Sequence, residues 1–71
     1  MDYSTLLTAD QKKSILEQRI AQFATEAYQH EMNLRVAKSL KNEEGVENAE
    51  KALATLESAI VEHQAELKTL K

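Results

Sequence analysis

The stretch Val46-Glu47-Asn48-Ala49-Glu50-Lys51-Ala52-Leu53-Ala54-Thr55-Leu56-Glu57-Ser58-Ala59-Ile60-Val61-Glu62-His63-Gln64-Ala65-Glu66-Leu67-Lys68-Thr69-Leu70 decides the fold. Its positions Val46, Ala49, Leu53, Leu56, Ile60, His63, Leu67 and Leu70 advance by alternating steps of three and four. On a helix, those steps keep one stripe on one side, which is the signature of a coiled-coil seam. A strand would need alternating β-branched and polar residues, and that pattern is absent. Upstream, Leu16, Ile20, Phe23, Ala27, His30, Leu34 and Ala37 repeat the same steps. Two seams joined by a short connection predict an all-α, antiparallel two-helix coiled-coil hairpin over about residues 9–42 and 44–70.

The boundaries follow from local chemistry. Thr8 and Gln11 stand three apart, in the form of a capping box, and Asp10 suits the positive end of a helix dipole. Residues 1–8 therefore read as a lead-in and 9–71 as one hairpin domain. Nothing interrupts the first helix until Lys41-Asn42-Glu43-Glu44-Gly45. Asn42 and Gly45 are the residue types that most readily take the left-handed conformation ending a helix. Lys38 and Lys41 suit the negative end of the first helix, and Glu43, Glu44 and Glu47 the positive start of the second. Glu31–Arg35 and Glu47–Lys51 are i,i+4 pairs, each adding a few tenths of a kcal/mol. A turn centred near Glu43–Glu44 sets Ala27 level with Ile60, and Phe23 level with His63 or Gln64. It leaves the first helix overhanging by about two turns.

Composition narrows the function. The chain has 71 residues, one Gly, no Pro and no Cys, so few turns are available and thiolate metal sites are excluded. The lack of a disulfide framework points to an intracellular, cytoplasmic location. Apolar runs are too short for a membrane span. A net charge of −3 argues against nucleic acid as a partner. Residues 43–71 hold seven acids and three bases. Their acidic start is either solubility and dipole compensation or a docking surface for a basic partner.

A second stripe complicates the hairpin. Tyr28, Met32, Val36 and Leu40 are spaced by four and fall opposite Phe23, Ala27 and His30 at ~100° per residue. A hairpin covers one face of each helix only. Ile15, Leu6 and Leu7 are likewise left uncovered. Chains this short rarely bury enough apolar surface alone, so a homo-oligomeric helical bundle is expected. Its interface would comprise Ile15, Tyr28, Met32, Val36 and Leu40.

No catalytic constellation is present: there is no Gly-rich phosphate loop, no Cys nucleophile and no Ser beside a base. The chain reads as a non-enzyme without cofactor. His30 and His63 occupy seam positions about six residues apart along the bundle, or ~9 Å, too far to share one metal ion within a hairpin. Neither has the Glu three residues before it that di-iron bundles use. No metal site is assigned. Each histidine reads as partly buried and bonded to a carboxylate or carbonyl, unless an oligomer axis joins two copies. Beside the seam, Arg19, Gln22, Glu26, Gln29 and Asn33 form a polar band flanked by Tyr28 and His30. It is either a solvated, register-setting band or an interface pocket. In the second case Arg19, Gln22, Tyr28, His30 and Arg35 would contact a small anionic ligand.

Leu7-Thr8-Ala9-Asp10-Gln11-Lys12, leading into Ile15-Leu16-Glu17-Gln18-Arg19-Ile20-Ala21-Gln22-Phe23-Ala24, resembles the opening of small helical-hairpin accessory proteins of tailed bacteriophages. Glu26-Ala27-Tyr28-Gln29-His30-Glu31-Met32-Asn33 and Leu56-Glu57-Ser58-Ala59-Ile60 extend the likeness over most of the chain. The resemblance implies a viral, non-enzymatic protein acting in the host cytoplasm. Three functions stay open. One is an oligomer that sequesters a small anionic ligand, such as a nucleotide immune signal, as an anti-defence protein. Another is a structural or assembly component of a phage particle. The third is an inhibitor docking a host protein through the Tyr28–Leu40 stripe.

Overall fold

The computed structural model describes Met1–Leu70. Lys71, the last residue of the expected 9–71 domain, lies outside the described residues. A 3₁₀ turn, Tyr3–Leu6, precedes helix α1, Ala9–Ser39, and helix α2, Glu43–Thr69. The helices pack as a hairpin measuring 49 × 20 × 17 Å.

Each helix end has a named cause. Gln11 N–H donates to Thr8 Oγ1 at 3.1 Å, and Thr8 N–H donates to Gln11 Oε1 at 2.9 Å, completing the capping box. The connection differs from the expected one. α1 ends at Ser39 rather than near residue 42, and α2 starts at Glu43 rather than 44. The left-handed residue is Lys41, at φ 57°, not Asn42 or Gly45. Asn42 N–H donates to Ala37 O at 2.8 Å, and Lys41 N–H to Lys38 O at 3.1 Å. These two bonds form a Schellman closure, which satisfies carbonyls the helix end would leave free. Asn42 then changes role and becomes the N-cap of α2, its Oδ1 accepting from Gly45 N–H at 3.1 Å. Gly45 sits inside the first turn of α2, and what matters there is space. A Cβ at this position would stand 3.1 Å from Ala37 Cβ.

The two seams pack as their spacing predicts. Every seam position of both helices is buried or half-buried. Among the described residues, Ala37 and Ala49 are the most deeply buried apolar side chains, and both lie toward the turn end of the hairpin. α2 is clearly amphipathic; α1 is not, because it carries apolar residues on both sides. Phe23 lies level with His63, their ring centroids 4.9 Å apart. The overhang is smaller than expected. α1 has 31 residues and α2 has 27, a difference of about one turn. Ala9 and Lys13 share a surface hollow with Leu67 and Leu70. The shorter α1 and earlier α2 account for the change. Among the described residues, no helix is long and apolar enough to cross a membrane.

Candidate functional site

The surface of α1 turned away from α2 is the most distinctive feature of the molecule. Tyr28 is 63% exposed, Met32 38%, Val36 54% and Leu40 72%. They follow one another on a ridge of i, i+4 steps. Around and upstream of that ridge, an arc about 140° wide contains no charged residue from Gln11 to Leu40, at 100° per residue. Lys12, Lys13, Glu17, Arg19, Glu26, Glu31, Arg35 and Lys38 all fall outside it. Every residue in the arc is exposed. The arc has two halves. Gln11, Gln18, Gln22 and Thr25 make the first half polar, and the second half carries Tyr28, Met32, Val36 and Leu40 with Gln29, Asn33 and Ser39 among them. The sequence already held the signal for this charge-free arc, since it is visible once the whole back face is read rather than the stripe alone.

At the far end of α1, Tyr3, Ser4 and Leu7 of the lead-in stand beside Lys12, Ile15, Leu16 and Glu66 around a groove of about 180 Å³. The lead-in thus partly covers Ile15, which remains 43% exposed, and Leu7, 37%. Leu6 stays open at 65%. Ile15 belongs to this end, with Gln18, Gln22 and Thr25 between it and the Tyr28–Leu40 ridge.

A second cluster lies on the seam. Arg19 Nε–H donates to His63 Nε2 at 2.9 Å. Its guanidinium carbon sits 5.2 Å from the centre of the Phe23 ring. Phe23 meets His63 edge to face, at an interplanar angle of 75°. His63 Nδ1 is 2.6 Å from Ala59 O. A guanidinium has no acceptor, so Nε2 must accept and the ring proton must sit on Nδ1, donating to Ala59 O. In this contact the imidazole takes the Nδ1–H tautomer, and the Arg19 cation lies over the Phe23 ring. The sequence set Phe23 level with His63 or Gln64, and the structure selects His63; the sequence did not show Arg19 reaching His63. Arg19 lies one turn before Phe23 on the same side, and that spacing is the signal.

The five residues expected to gather around an anion are not brought together within one chain. Arg19 is turned to His63. Arg35 Nη2 pairs with Glu31 Oε1 at 3.2 Å on the surface. Arg19 and Arg35 are separated by about 24 Å along α1 and by nearly half a turn around it. Tyr28 and Arg35 share one flank of the ridge, Gln22 lies on the charge-free arc, and His30 is half-buried in the seam. Among the described residues, no three His, Asp or Glu side chains are grouped to hold a metal ion. The chain matches no protein-family model, no curated protein and no solved structure.

Proposed function

We propose that this protein is a non-enzymatic, self-associating interaction module, whose working surface is the back of α1 and whose first partner is a second copy of itself. The observation that carries this is the exposed Tyr28–Met32–Val36–Leu40 ridge on a charge-free face. The chain exposes 5672 Å², whereas a compact 8.0 kDa monomer exposes about 4,450 Å². The difference goes with the elongated two-helix shape, which leaves the back of α1 open to solvent. The radius of gyration, 15.9 Å, likewise exceeds the ~11 Å of a compact domain of this length.

This module suits an accessory protein of tailed bacteriophages, the group the sequence resembles, acting in a particle or on a host protein. A small anion held at the interface would meet Tyr28 and Arg35, which share a flank. Sedimentation equilibrium of the wild type, against Met32→Glu with Val36→Glu, tests self-association. The wild type should form oligomers at micromolar concentration. The double variant should be monomeric, because a buried carboxylate without a partner is strongly unfavourable. A folded wild-type monomer at that concentration would sink the reading.

A further inference from the structure

We infer that the Arg19–His63 contact is a pH-sensitive latch between the helices, closed while the imidazole is neutral and opened by its protonation, when Glu66 takes the ring in place of Arg19. This stands apart from self-association and involves the atoms of one chain.

As a cation, His63 cannot keep both of its present partners. Its Nδ1 lies 2.6 Å from Ala59 O, and its Nε2 lies 2.9 Å from Arg19 Nε. The Nδ1 proton is committed to the carbonyl, so a second proton, taken from solvent, goes to Nε2. A protonated imidazole has two donors and no acceptor, and a guanidinium keeps its own protons. Two N–H groups and two positive charges would then face each other at hydrogen-bond distance. Arg19 must swing away. Among the described residues, this is the one side-chain hydrogen bond that joins α1 to α2. Its loss leaves that end of the seam to apolar packing.

The surrounding charges supply the replacement. From α1, Lys12, Arg19 and Glu26 recur every seven residues along one flank of the seam, and of these Arg19 touches the ring. From α2, Glu62 and Glu66 border a surface hollow with His63 and Leu16. Glu66 is at i+3 from His63, where helical neighbours meet, whereas Glu62 is the adjacent residue and points apart. Glu66 also borders the groove under the lead-in, with Lys12 and Tyr3. Its carboxylate accepts a long hydrogen bond from Thr69 Oγ1 at 3.5 Å. Among the described residues, the ion pairs are Glu31–Arg35 and Glu47–Lys51, so Glu66 has no cation of its own. Protonated His63 gives it one.

Only the neutral ring makes the latch. The stability it adds is therefore present above the range in which imidazoles change charge, about pH 5 to 8, and is lost as pH falls through that range.

Nitrogen-15 spectra of the wild-type protein between pH 8 and pH 5.5 test this. The Arg19 Nε–H signal should shift in step with the His63 ring and not with His30. Urea unfolding gives a second readout. At pH 8 the folding constant of the wild type should exceed that of Arg19→Ala about fivefold, as one net hydrogen bond would make it. At pH 5.5 the two proteins should agree, since His30 and the carboxylates are common to both and cancel. Glu66→Gln should be neutral at pH 8 and weaken folding about twofold at pH 5.5, as loss of an exposed ion pair does. An Arg19 signal indifferent to the His63 ring, or an Arg19→Ala deficit that is equal at both pH values, overturns the latch. An equal effect of Glu66→Gln at both pH values overturns Glu66 as the replacement partner.

Discussion

Arg19 crosses the seam to donate its Nε–H to His63 Nε2 at 2.9 Å, one helical turn from the Phe23 ring that meets the same imidazole. This contact fixes the ring proton on Nδ1. Nitrogen-15 correlation spectra at neutral pH should therefore show His63 as the Nδ1–H tautomer. Arg19→Ala should release that preference and cost ~1 kcal/mol, the usual net value of one hydrogen bond. An Nε2–H tautomer in the wild type would contradict the contact.

Leu56 and Ile60 lie half-buried on the α2 seam, opposite α1. Either one changed to alanine should cost ~2 kcal/mol, the low end of the range for large-to-small core changes, because neither is fully enclosed. That is a large share of the stability available to so small a unit. Thermal unfolding followed by circular dichroism should show a lower midpoint. An unchanged midpoint would mean that the seam is not where the stability resides.

Lys41 holds φ 57° between the helices, a conformation that is costly for any residue with a Cβ. Lys41→Gly should stabilise the hairpin by about 0.5 kcal/mol, since relief of strain outweighs the added freedom of the unfolded chain. Asn42→Ala should do the reverse, losing ~1 kcal/mol with the α2 cap. Urea denaturation of the two variants should move the midpoints in opposite directions.

Gly45→Ala tests the close approach of the helices at Ala37. Alanine improves helix propensity by about 1 kcal/mol. The added Cβ, however, would meet Ala37 Cβ at 3.1 Å and Asn42 Nδ2 at 3.1 Å. Disturbing both the helix contact and the cap should make the net effect destabilising, with a lowered melting midpoint. A raised midpoint would show that the turn end has room to open.

Calorimetric titration with linear and cyclic nucleotides addresses the anion reading. Tyr28 and Arg35 share the accessible flank, where Arg35 pairs with the exposed Glu31, whereas Arg19 is held on the seam by His63. Any binding should thus fall at least tenfold in Arg35→Ala and less in Arg19→Ala. No heat across the panel would leave self-association without a nucleotide role.

Periodicity alone was enough to determine two helices, their seams and their pairing. Three-and-four spacing has one low-energy solution when the connection is short: each stripe from Leu16 to Ala37 and from Val46 to Leu70 must find the other. Thr8 and Gln11 were legible for a similar reason, because a capping box uses only residues three apart. The turn was not legible at this precision. Lys41, Asn42 and Gly45 offered several ways to leave one helix and enter the next. The observed choice puts Lys41 in the left-handed conformation, with Asn42 N–H closing on Ala37 O and Gly45 set close to Ala37. The same holds for Arg19 and His63, 44 residues apart in the chain. Each belongs to a readable helix, but their hydrogen bond depends on axial register and side-chain reach, which only packing sets. The back of α1 lies between these cases. Its apolar ridge and missing charges are written in the sequence, while its exposure was decided by α2 covering the other side.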